Sequence, residues 1–148
     1  MLQLVTLPNL FINWYLVSHE VKNSEGEIEI NLDLLNKFKH DLKNYNINLY
    51  FSYGAWRSLN MNDKYDLILS SETIYQSSSL QSLVNLIKSI SNTNSEVLIS
   101  CKSVYFGVGG GVHQFINVIE NVNSGKCQII WASNDNSGVI RNIIKVKL

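Results

Sequence analysis

At 148 residues the chain has the length of a single domain, and 45% hydrophobic residues are enough to bury an ordinary core. Its 12 Lys and Arg balance 12 Asp and Glu, which excludes the basic footprint of a nucleic-acid or anionic-lipid binder. The cysteines, Cys101 and Cys127, stand far apart without C-x-x-C spacing. That spacing argues against a disulfide framework or a zinc site, and it predicts two reduced thiols in strands and a cytoplasmic or nuclear location.

The first predicted element is a helix entered at Thr6, a capping residue, with the sole proline, Pro8, in its first turn where no backbone donor is needed. Leu7, Leu10, Phe11, Trp14 and Val17 repeat at helical spacing and predict a core-facing stripe. The apolar run Leu10–Val17 is broken by Asn13 and has no basic leader, so neither a signal peptide nor a membrane span is expected. Ser18–Glu27 reads as a polar turn, followed by a short apolar run, Ile28–Ile30. A second helix is predicted over Asp33–Lys43, with Leu35, Phe38 and Leu42 inward and His40 solvated among lysines. Asn44–Asn48 breaks it, and Ile47–Tyr53, rich in β-formers, predicts a strand ending at Gly54.

Tyr65–Ser70 (YDLILS) is the clearest strand of the first half, its continuous apolar centre suited to burial on both faces. It runs into the polar cluster Ser70–Tyr75, at the strand end where open α/β sheets hold ligands. A helix over Ser79–Ile90 follows, with Leu80, Leu83, Val84, Ile87 and Ile90 on its inner face. Then come a strand over Glu96–Cys101, a loop with glycine at 107, 109, 110 and 111, and a helix running to Val122 on Val112, Phe115, Ile116 and Ile119. Strands over Cys127–Ala132 and Val139–Val146, joined by the turn-prone Ser133–Gly138, finish an α/β chain without internal repeats.

The glycine loop does not read as a nucleotide fingerprint. Val112 stands where the third glycine of G-x-G-x-x-G belongs, Glu120 comes too early for the ribose-binding acid, and no Gly-Lys-Ser/Thr follows. A plain glycine turn tying strand to helix is the simpler alternative. No G-x-S-x-G elbow is present, Cys101 reads as strand interior and His113 as a first-turn residue, and the histidines at 19, 40 and 113 are too scattered for a metal. What remains is two neighbouring strand ends, Ser71, Glu72 and Tyr75 after one and Tyr105, Phe106 and the glycines after the next. Aromatic walls and one carboxylate there could hold a planar nitrogen nucleophile, Glu72 accepting a proton or orienting an imidazole. Taken alone, Glu72 and Tyr75 also read as a helix-start carboxylate and a packing tyrosine.

Val5–Asn9 (VTLPN), Tyr53–Trp56 (YGAW), Tyr65–Tyr75 (YDLILSSETIY) and Tyr105–Phe115 (YFGVGGGVHQF) resemble, in order, motifs of the eukaryotic protein-histidine N-methyltransferases. These are seven-strand, S-adenosylmethionine-dependent enzymes that methylate a histidine of a large-subunit ribosomal protein. The resemblance implies a Rossmann-like class I methyltransferase sheet truncated at its N-terminus, residues 1–148 forming one partial domain from the helix before strand 3 through strand 7. It implies a cofactor side at Gly54, Ala55, Trp56 and Ser71, and catalytic residues Glu72 and Tyr75. The substrate side would be Tyr105, Phe106, Gly107, Gly109, Gly110 and Gly111. No stretch supplies the D-x-G-x-G turn or the acidic strand end by which the family chiefly holds S-adenosylmethionine, and Ala55 replaces the acid of G-[DE]-W. Cofactor binding and activity by this chain alone are therefore not expected, and a non-catalytic protein-binding remnant is the alternative. With family strand order 3-2-1-4-5-7-6, strand 4 here would be left as a bare apolar edge. Three outcomes follow from that edge: Ile47–Tyr53 re-pairs beside it, a partner chain or second copy covers it, or the isolated chain folds poorly.

Overall fold

The computed structural model describes residues 5–19, 29–133 and 138–148, in two units, Met1–Ser52 and Tyr53–Leu148. In the first unit, α1 (Leu7–Ser18) has Pro8 in its first turn as expected, but Thr6 does not cap it. Thr6 already has helical dihedrals and its hydroxyl bonds no backbone donor. Phe11 is the residue α1 buries; Leu7, Leu10 and Val17 of the expected stripe are exposed. Phe11 meets Phe38 edge-on at 5.4 Å between ring centroids, and the Trp14 indole N–H donates to Asp41 Oδ2 at 3.1 Å. α2 (Leu32–Asn44) starts one residue early because the Asn31 side chain accepts from the Leu34 amide. Phe38 is buried, Leu35 is exposed and Leu42 half-buried, and His40 is solvated as expected.

Ile47–Tyr53 forms no strand; Ile47, Leu49, Tyr50, Phe51 and Tyr53 are exposed. β-propensity largely measures the fit to a pleated neighbour, and this segment has no ladder to join. The expected turn at Ser18–Glu27 and the start of the Ile28 run fall on residues 20–28, outside those described, as does the centre of the Ser133–Gly138 turn, 134–137.

The second unit holds a four-stranded sheet, β1 (Tyr65–Ser71), β2 (Ser91–Lys102), β3 (Lys126–Ala132) and β4 (Arg141–Lys147), in the order β1-β2-β4-β3. β1 and β2 are parallel, and β4 runs antiparallel to both β2 and β3. This is the 4-5-7-6 portion of the order implied by the family resemblance, and the fold is that of a class I methyltransferase sheet. Parallel β1 and β2 need a crossover, which α3 (Leu80–Ile90) supplies. α4 (Val112–Asn117) continues as a π-helical turn, Val118–Val122.

Both helices return to one face of the sheet. Leu80, Leu83, Val84 and Ile87 from α3, and Phe115 and Ile119 from α4 and its continuation, close over Val97, Ile99, Cys101, Ile144 and Val146. The opposite face is bare at β1, where Leu67 is 53% and Leu69 68% exposed. The expectation that β1 is buried on both faces is therefore corrected, since among the described residues β1 pairs only with β2 and Ile47–Tyr53 does not join it. Phe115 has no exposed surface. Phe115→Ala should cost about 3–5 kcal/mol, measurable as a lowered denaturation midpoint with an unchanged slope.

Candidate functional site

β1 and β2 end side by side, and the residues that follow them make the site. The Glu72 amide donates to Ser100 O at 2.9 Å, prolonging the ladder by one bond. Its own φ of 55° then breaks the strand. A non-glycine residue in the left-handed region costs of order 1–3 kcal/mol, so the surroundings must hold it there. Tyr105, after β2, donates its hydroxyl to Glu72 Oε2 at 3.0 Å and accepts the Lys102 amide at 3.1 Å. The Tyr75 and Tyr105 rings stand 6.4 Å apart at 62°, and the Lys102 ammonium lies 5.8 Å from the centre of the Tyr105 ring.

The glycine loop is stitched to the Glu72–Gln76 turn through its backbone. Gly110 donates to Tyr75 O and Gly111 to Ile74 O, each at 3.0 Å, and Gln76 bridges Gly109. A Cβ on Gly110 would lie 2.2 Å from the carbonyl carbon and oxygen of Tyr75, so the approach requires glycine. Gly107 is different: it is exposed, with φ 80° and nothing near its missing side chain. Beside it Phe106 is 92% exposed.

Two clefts share Glu72 and Tyr75. The first, about 460 Å³, is bounded by Gly54, Ala55, Trp56 and Arg57 on one side and Ser78, Ser79 and Ser82 on the other. The second, about 360 Å³, is bounded by Lys102, Val104, Tyr105, Phe106, Val108 and Val139. The structure thus brings Gly54, Ala55 and Trp56 to one side of Glu72 and Tyr105 and Phe106 to the other. Ser71, the last residue of β1, is exposed and lines neither cleft, while Gly110 and Gly111 are buried as backbone supports. Reading the sequence missed Arg57, the three serines, Lys102 and Val139. Lys102 was legible as the end of β2, but Val139 reaches the site only through the fold of the C-terminal hairpin.

The first cleft fits part of S-adenosylmethionine. Its volume is within the ordinary range of small-molecule sites, and Trp56 with the Gly54–Ala55 backbone suits a flat base. Glu72 is the only carboxylate among the described residues lining it, so a ribose diol finds no second acid there.

Cys101 is fully buried, and burial, helped by the charge of Glu72, pushes its thiol up to about 11. His113 is exposed. A protonated, inaccessible thiol is not a nucleophile. Burial, with Glu120, likewise lifts Cys127 to about 11, and burial, with the bond to Glu72, lifts Tyr105 to about 12. All three groups stay neutral longer in the fold than when unfolded. Their contribution to stability is complete below about pH 9 and is lost as pH rises through the folded values. The thermal midpoint should therefore fall between pH 9 and 12, whereas an unchanged midpoint across that window would contradict the burial of these groups.

A family of lysine methyltransferases matches residues 28–122. Histidine protein methyltransferase 1 of Schizosaccharomyces pombe is 38% identical over 124 residues, covering 77% of this chain and 36% of the relative. Histidine protein methyltransferase 1 of Saccharomyces cerevisiae is 29% identical over 173 residues, covering 99% of this chain and 46% of the relative. The chain therefore spans less than half the length of these curated relatives. Among solved structures, PH0226 protein from Pyrococcus horikoshii superposes with a TM-score of 0.50 at 9% identity, over 93% of this chain and 78% of that one, a likeness of fold.

Proposed function

Since the chain belongs to the lysine methyltransferase family, we propose that it supplies the acceptor side of an S-adenosylmethionine-dependent protein-histidine N-methyltransferase acting on a large-subunit ribosomal protein. The observation that carries this reading is the place of Glu72, lining both a cleft that fits part of the cofactor and an aromatic one. The cofactor, when bound, supplies an electrophilic methyl group. Gly54, Ala55 and Trp56 would hold its base, with Ser71 nearby at the end of β1.

Glu72 accepts the N–H of one imidazole nitrogen, which fixes the tautomer and leaves the lone pair of the other nitrogen aimed at the first cleft. Tyr75 and Phe106 flank the ring and exclude water, and Gly109, Gly110 and Gly111 keep the aromatic loop against the Glu72 turn, with Gly107 at its exposed tip. As the methylated ring becomes cationic, the Glu72 carboxylate faces the charge and takes the remaining ring proton. Histidine is favoured over lysine by the names of the curated relatives and by the aromatic residues Tyr75, Tyr105 and Phe106 that line the second cleft.

The open β1 edge and the exposed Val104, Phe106 and Val108 support a second reading, a protein-binding module without catalysis. In either case the apolar Leu67–Ser70 edge is covered by another polypeptide segment, a partner chain or a second copy. The setting would be the cytoplasm or nucleus, where free thiols persist. Joining residues 1–148 to the amino-terminal portion of the fission-yeast relative and supplying radiolabelled S-adenosylmethionine with large-subunit ribosomal proteins separates these readings. Label in methylhistidine is expected. Label in methyllysine would change the acceptor class, and none at all would leave the binding module.

A further inference from the structure

We propose that Tyr105 is a positioning residue, its hydroxyl fixing the Glu72 carboxylate so that one oxygen is presented to the acceptor imidazole. This rests on the acceptor-side reading above and assigns the hydroxyl a task other than touching substrate. The direction of the bonds follows from valence alone. The Lys102 amide can only donate, so the phenolic oxygen must accept from it at 3.1 Å. The single phenolic proton is then free for Glu72 Oε2, 3.0 Å away. Oε1 has no hydrogen-bond partner among the described residues. One oxygen is thus clamped and the other is left unengaged among the described residues, on a side chain that lines both clefts.

The clamp is anchored where a side-chain rotamer alone would not hold. Glu72 sits at φ 55° just beyond β1, and its carboxylate would otherwise swing about a solvated stem. Tyr105 is tied to the last residue of β2 through the amide of Lys102, so the carboxylate is referred to both parallel strands at once. The groups facing the Tyr105 ring and hydroxyl are Glu72, Cys101, Lys102 and Tyr75. With its hydroxyl engaged at both ends, Tyr105 offers a substrate only ring surface, and the wall against the acceptor falls to Tyr75 and Phe106.

The test uses the full chain and 4-methylimidazole as probe, titrated by NMR into the parent, Tyr105→Phe, Glu72→Gln and the double variant. The parent should bind saturably and Tyr105→Phe about 5-fold more weakly, a loss of one hydrogen bond's net worth. Glu72→Gln should abolish saturation, and adding Tyr105→Phe to it should change nothing more. In parallel, the tyrosine that titrates highest should be absent from Tyr105→Phe and should titrate lower in Glu72→Gln. Residual binding by Glu72→Gln that Tyr105→Phe weakens further would mean that Tyr105 touches the ring directly and would overturn the proposal. An unshifted tyrosine titration in Glu72→Gln would overturn it too. No binding by the parent would instead remove the acceptor-site reading on which it rests.

Discussion

Gly110→Ala is expected to lower the thermal midpoint by about 10 °C or more, far beyond the effect of Gly107→Ala in the same loop. The new methyl group would sit 2.2 Å from the carbonyl carbon and oxygen of Tyr75 and 2.3 Å from Ile74 O. These are backbone atoms that cannot rotate away. Relief requires the loop to leave the Ile74–Gln76 turn, losing the bonds from Gly110 to Tyr75 O and from Gly111 to Ile74 O. Overpacking against fixed backbone costs about 3 kcal/mol, and in a unit of this size each kcal/mol moves the midpoint by roughly 4 °C or more. Gly107→Ala meets nothing within 4 Å and bears only the cost of its φ of 80°, about 1 kcal/mol. Calorimetric melts that found the two variants alike would mean the loop is not seated on the Glu72 turn.

Glu72→Gln should lower methyl transfer by about 100-fold or more in the joined enzyme described above, with little change in thermal midpoint. The amide can still meet Tyr105, so the turn is kept, but the negative charge that faces the developing imidazolium is gone. Tyr75→Phe should cost much less, because the Tyr75 ring rather than its hydroxyl walls the site. Steady-state rates at saturating S-adenosylmethionine decide the point. A Glu72→Gln enzyme within a few-fold of the parent would remove Glu72 from the chemistry and leave it a turn residue bonded to Tyr105.

How far the sequence could be read depended on whether the neighbours that a pattern needs were themselves encoded nearby. Leu80, Leu83, Val84, Ile87 and Ile90 gave α3 and its buried face correctly, because a helix declares its stripe within its own residues. Tyr65–Ser70 was legible as a strand, one residue short of β1, but its burial was not. A run such as Leu67-Ile68-Leu69 states that two covered faces suit it without supplying the second layer, and Leu67 and Leu69 stand in solvent. Ile47–Tyr53 failed more completely: its β-formers need a ladder, and none reaches them. At the site, the strand-end positions of Glu72, Tyr75 and Tyr105 followed from periodicity, whereas the bond between Glu72 and Tyr105 did not. That bond depends on the left-handed turn at Glu72 and on the register that sets Ser71 against Ser100, which no local pattern records. The glycines were noticed as a ligand loop; Gly110 turned out to be a place where two backbones pass too closely for any side chain.

Calorimetric titration of the 148-residue chain with S-adenosylhomocysteine tests most directly whether its residues build the acceptor side and only one wall of the cofactor cleft. The account predicts a dissociation constant of hundreds of micromolar or weaker, about −5 kcal/mol at most, because Gly54, Ala55 and Trp56 meet the base while no second carboxylate meets the ribose. A dissociation constant of about 10 micromolar or below would contradict it, since these residues would then hold the whole cofactor unaided.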